Sequence, residues 1–121
     1  MLATVLSPLK AQVQRFYNLT ADEVAIGQTL PEFTCSMPLD GNFADSLYTV
    51  SLLYPEFIDM TPSDISAMKA LGVDTLPVMP VVSSHVAMDR KRGVLEAGFC
   101  PLVHRDGRYR ILVSFMLKVE S

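Results

Sequence analysis

Residues 102–119 read Leu102-Val103-His104-Arg105-Asp106-Gly107-Arg108-Tyr109-Arg110-Ile111-Leu112-Val113-Ser114-Phe115-Met116-Leu117-Lys118-Val119, and the Asp-Gly pair inside this stretch decides the fold. Between two strand-like runs, Asp-Gly is a preferred two-residue hairpin turn, because both of its central positions must take positive φ. The turn sets the register. Arg105 faces Arg108, His104 faces Tyr109, and Leu102 faces Ile111; continued further, Cys100 faces Val113 and Gly98 faces Phe115, whose ring would cover the bare glycine.

Along the second strand, Tyr109, Ile111, Val113, Phe115, Leu117 and Val119 alternate onto one face, which places this strand at the centre of the core. The other face carries Arg108, Arg110, Leu112, Ser114, Met116 and Lys118, so Leu112 and Met116 form a modest apolar area for a helix or a neighbouring copy to cover. Upstream, Val81–Asp89 and Val94–His104 read as two more strands, giving a three-stranded antiparallel meander at the C-terminus. Asp89-Arg90-Lys91-Arg92-Gly93 joins its first two strands, with Gly93 as the left-handed residue that closes a loop of three or four residues. Pro101 lacks a ladder donor, so the alternative is a bulge at Cys100-Pro101 that shifts the register by one and removes the Gly98–Phe115 pair.

The N-terminal part contributes helices and two more extended segments. Ser7-Pro8 is a capped helix start, and Leu9, Val13 and Phe16 follow on one helical face, which predicts a helix of about ten residues. Thr20-Ala21-Asp22-Glu23 has capping-box spacing and opens a short helix that Gly27 and Pro31 must end. Phe33, Cys35 and Met37 alternate with Thr34 and Ser36, the pattern of a half-buried strand with Cys35 turned to the core. Asp40-Gly41 marks a turn. Leu47 to Tyr54 alternates again, although Leu47, Val50 and Tyr54 also fit a helix, and Pro55 ends either one. Thr61-Pro62-Ser63-Asp64 starts a helix over 62–71 that buries Ile65, Met68 and Leu71 and stops at Gly72. Leu76–Pro80, with two prolines, reads as a connection or a sheet edge. The fold class is therefore α+β: a small single domain over 1–121, its antiparallel sheet ending in the meander and packed against about two helices.

A chain of 121 residues, half of them apolar, is long enough for one self-sufficient core. Its charged fraction of 19% is below the roughly 25% of typical soluble domains, and its mean hydropathy is +0.29, so exposed apolar surface and self-association are expected. Polar residues interrupt every apolar run short of the roughly 20 needed to cross a bilayer. The start has no early basic segment and is broken by Pro8, which is a poor signal peptide and points to a cytoplasmic protein with no membrane partner. We read no tag or processing at Met1, and we expect packing against other copies to tie down both ends. Cys35 and Cys100 read as two buried reduced thiols, and Asn18-Leu19-Thr20 is a sequon by chance.

The net charge of -3 hides an asymmetry: residues 1–89 carry three basic side chains against ten acidic ones, and residues 90–121 carry seven against three. The candidate binding residues are two basic clusters, Arg90, Lys91 and Arg92 at one end of the meander and Arg105, Arg108 and Arg110 at the other, separated by roughly 30 Å of middle strand. Catalysis fits poorly. His85 and His104 have no metal-ligand spacing, no phosphate loop or nucleophile elbow is present, and no cofactor is implied. The expected function is a non-enzymatic interaction subunit in which the acidic region of one copy meets the arginine-bearing tips of another, a viral capsid or tail, and hence a virion, being one setting for it. Charge reversal at Arg105, Arg108 and Arg110 should then weaken assembly and spare the fold. The alternative is an anion- or nucleic-acid-binding module in which the same arginines grip phosphate and Tyr109 stacks a base.

Overall fold

A computed structural model describes residues 13–39 and 47–120. The described elements run β1 (Val13–Asn18), β2 (Phe33–Pro38), β3 (Thr49–Asp59), α1 (Pro62–Ala70), β4 (Ser83–Asp89), β5 (Arg92–Phe99), β6 (Leu102–Arg105) and β7 (Arg108–Glu120). The chain is mostly antiparallel sheet with one helix among the described residues, an α+β-like small fold with one helix where two were expected. One sheet has the order β1-β7-β3, with β6 also on β7; the other has the order β2-β5-β4.

The Asp106-Gly107 turn forms as read, with both residues at positive φ and the pairs Arg105↔Arg108, His104↔Tyr109 and Leu102↔Ile111. The meander does not continue past it. At Cys100-Pro101 the chain leaves one sheet for the other, so β5 pairs with β2 and β4 while β6 stays on β7. Pro101 is the physical reason. Its carbonyl still accepts from the Leu112 N–H at 2.8 Å, but it has no N–H with which to carry the ladder upstream. Gly98 accordingly faces Thr34 and Ser83, not Phe115. A Cβ there would lie 2.9 Å from the Phe33 carbonyl oxygen, so glycine permits the close approach of β2.

The central strand β7 has partners along both edges. On one side β1 covers Ser114–Val119 and β6 covers Arg108–Ile111, with Leu19 N–H donating to Val113 O at 2.8 Å between them. On the other side lies β3, whose register slips twice, so that Leu53 faces Met116, Glu56 faces Ser114 and Phe57 faces Leu112. Pro55 does not end β3. It sits with Tyr54, at φ 52, in the extra loop of that bulge, where no ladder donor is required.

The slip at Val113 divides β7 between two cores and corrects the expected single apolar face. Phe115, Leu117 and Val119 share the first core with Leu112, Met37, Leu95 and Phe99, between the two sheets. Ile111 points the other way into a second core with Leu102, Met60, Val24 and Met68 of α1. Leu112 and Met116 are buried, not a surface patch. Four aromatic rings clamp the sheets: Phe115 stacks on Tyr17 at 5.4 Å and meets Phe33 and Phe99 edge-on at 5.1 and 5.2 Å.

The helix start at Thr61 is a reciprocal capping box: Asp64 N–H donates to Thr61 Oγ1 at 3.0 Å and Thr61 N–H to Asp64 Oδ2 at 3.3 Å. Gly72, at φ 83, follows the helix end; Met68 is buried, whereas Leu71 is exposed. Thr20 and Glu23 make the same reciprocal bonds, at 2.9 and 3.3 Å, but close only a turn over 21–24. The helix expected from Ser7 is corrected where it can be seen. Val13–Asn18 is a strand, because the ladder to β7 and the burial of Tyr17 against Phe115 outweigh the helical spacing of Val13 and Phe16. Residues 1–12, the Asp40-Gly41 turn and Ser121 lie outside the described residues, as does the expected packing of the termini. Leu76–Pro80 is irregular, and Pro77 O accepts from His104 N–H at 2.9 Å along the β6 edge.

Because Phe115 is fully buried and touches rings from both sheets, Phe115→Ala should destabilise the fold by about 3–5 kcal/mol in urea unfolding, against about 1 kcal/mol for Thr61→Ala. Equal effects of the two would contradict the ring cluster as the clamp.

Candidate functional site

The two basic clusters have opposite fates. Arg105 donates from Nη1 to Val78 O at 2.9 Å, and its guanidinium lies 4.9 Å from the Phe57 ring centre. Arg108 Nη1 is 3.4 Å from Asp59 Oδ2, and Arg110 Nε, a buried atom without an aligned hydrogen bond, is 3.2 Å from Asp59 Oδ1. Tyr109 is half-buried in the second core, stacked on His104 at 4.5 Å and approached by Lys69 at 5.7 Å. Arg105 thus ties β6 to the 73–82 connection and packs on β3, while Arg108 and Arg110 of β7 both reach Asp59 of β3, the Arg108 pair being exposed.

Arg90, Lys91 and Arg92 are exposed at the β4–β5 turn and make no ion pair with a described side chain. The turn is tighter than expected, with two central residues and Asp89 paired to Arg92, while Gly93 lies buried inside β5 opposite Met88. Arg90 and Lys91 both take positive φ, 51 and 68, where Asn and Gly are the favoured residues. Two long cations are thus held in strained positions at the tip. The break at Pro101 puts this tip and the β6–β7 turn in different sheets, so the separation expected along one straight strand does not apply.

The other end of the same sheet differs in character. On its outer face Thr34, Ser36, Ser83, His85 and Glu96 surround an open recess of about 370 Å³, with Gly98 at the floor and Glu32 at the rim. His85 Nε2 lies 2.8 Å from Glu96 Oε1, and Ser83 Oγ donates to Gly98 O at 3.5 Å. The alternation of β2 already placed Thr34 and Ser36 outward. The recess itself depends on the β2–β5 pairing, which joins residues about 60 positions apart and leaves no local signal.

Among the described residues, β4 is an edge strand of this sheet. Val86 faces the same way as its buried partner Leu95, yet it is 42% exposed, and Met88 is 66% exposed, since the first sheet does not reach beneath them.

Both thiols are free and half-buried, Cys35 in the first core and Cys100 beside the second. Burial pushes both upward from the ordinary thiol value of 9.0, and burial likewise raises Tyr17 above its ordinary value. No group of three metal-ligating side chains and no helix long and apolar enough to cross a membrane occurs among the described residues.

Two outcomes are expected from this geometry. Replacing Arg90-Lys91 by Asn-Gly should raise the unfolding free energy by about 1–3 kcal/mol, because it relieves two left-handed positions; no gain in urea unfolding would show that the turn is unstrained. The raised thiols favour the protonated native state, so stability should be full below pH 9 and fall as the unfolded chain ionises above it. Melting temperature followed from pH 7 to 10 reads this, and a Cys35→Ala, Cys100→Ala chain should lose less over that range.

No family model, curated protein or solved structure matches this chain.

Proposed function

We propose that the chain is a non-enzymatic interaction subunit that assembles with copies of itself. The observation that carries this reading is β4, an edge among the described strands whose core-facing Val86 and Met88 are exposed beside an exposed basic tip. An edge of that kind is a template for another strand, and apolar side chains left uncovered along it gain from a partner. The charge asymmetry supplies the rest. The tip cations belong to the basic part of a chain whose residues 1–89 carry seven more acidic than basic side chains, so the acidic region of a second copy is opposite in sign to the tip.

The anion- or nucleic-acid-binding alternative keeps only Arg90, Lys91 and Arg92, since Arg105, Arg108 and Arg110 are engaged within the chain and Tyr109 is packed. Assembly is favoured over it because a phosphate ligand leaves Val86 and Met88 uncovered.

Light scattering over a concentration series, at low and high salt, tests the proposal. The expected mass exceeds the 13.4 kDa of one chain and decreases on dilution, and salt weakens the association through the charged part of the contact. A 13.4 kDa species at every concentration and both salts would overturn it.

A further inference from the structure

We infer that two copies meet through β4, paired antiparallel to β4 of the second copy about a two-fold axis at Val86, and that this register brings each basic tip to the acid-bearing end of the other copy's sheet. The inference rests on the assembly reading above and adds the surface, the register and the symmetry.

The other edges of the described strands are guarded. The free side of β3 is interrupted by the Tyr54-Pro55 bulge, β2 ends on Pro38, β1 carries Arg15, and β6 is capped by Pro77 O. From Ser83 to Met88, β4 has no proline, bulge, lysine, arginine or carboxylate, and among the described residues it is hydrogen-bonded only to β5. These are the devices by which sheets avoid pairing edge to edge, and β4 lacks them.

Full antiparallel overlap of β4 with its own copy places Val86 opposite Val86, Ser84 opposite Met88 and His85 opposite Ala87. Faces are preserved in this register: the uncovered Val86 and Met88 come together on the core side, and the two His85 side chains are kept apart. A shift of two residues would set His85 against His85 or lose part of the overlap.

The charges fit the same register. Within one copy, Glu96 lies four residue pairs from Asp89↔Arg92, roughly 13 Å, and Glu32 lies beyond Phe33↔Phe99 at the far end of the sheet, and the tip makes no ion pair with either carboxylate. Across the two-fold axis Arg90 falls just beyond the other copy's Ser83, at the end of the sheet where Glu32 precedes β2, with Glu96 on β5, the strand next to β4. The contact is self-complementary, so both tips are satisfied at once and the assembly closes as a pair. Arg90 and Lys91 form the two-residue turn past the strand end, so in this register they lie on the side of the second copy's sheet that holds Glu32.

Three full-length variants test this, each first shown to be folded by circular dichroism. Val86→Lys sets two like charges face to face on the axis and should leave a monomer. Arg90→Glu with Lys91→Glu, and separately Glu32→Lys with Glu96→Lys, should each raise the dimer dissociation constant by about tenfold or more. Mixed in equal amounts, these two charge variants should form a heterodimer of near wild-type affinity, since both cross-axis contacts become attractive again. A folded Val86→Lys chain that dimerises like wild type would overturn the pairing, and failure of the mixture to associate would overturn the register, while wild-type association in both cases would leave the assembly reading standing. A wild-type monomer that binds a single-stranded DNA oligonucleotide through the tip, with binding lost in the Glu variant, would overturn the assembly reading and this inference together.

Discussion

The missing N–H of Pro101 is the constraint on which the rest of the molecule depends. A strand that ran unbroken from Val94 to His104 would have kept β4, β5 and β7 in one meander. Pro101 can accept from Leu112 but cannot donate, so the ladder on β7 stops there and the preceding strand is free to take other partners. It takes β2, and Phe99 turns toward Phe33 and Phe115 while Leu102, three residues on, enters the other core. One residue thus converts a meander into two sheets with two cores.

The second consequence concerns what is left outside. Once β5 belongs to the smaller sheet, β4 is its outermost strand, and the larger sheet lies under β2 and β5 without reaching Val86 and Met88. The uncovered edge, the strained cationic tip at one end and the recess with Glu96 at the other all belong to this three-stranded sheet. Structure and proposed function are linked at that point: the apolar edge supplies contact area, and the charged ends set its direction.

Local signals in the sequence carried the elements whose causes are local. Asp106-Gly107, the Thr61 capping box and the alternation of Phe33, Cys35 and Met37 all appear where expected, because a turn, a cap and a period of two need only neighbouring residues. The Val13–Asn18 segment went the other way, since its helical spacing was weaker than a ladder to β7 about 100 residues distant. The bulges at Tyr54-Pro55 and Val113, which share β7 between two cores, follow from cross-strand pairing and have no signature on either strand alone. Of the two basic clusters, both visible from composition, only pairing geometry shows that Asp59 and Val78 occupy one and leave the other exposed.

The most direct measurement is amide hydrogen exchange of residues 83–89 at low and high protein concentration. An unguarded edge that pairs with its own copy predicts fast exchange of the outward amides of β4 in dilute solution and marked protection at high concentration, with β3 unchanged. Exchange along β4 that is the same at both concentrations, under conditions where the mass shows association, would contradict the account.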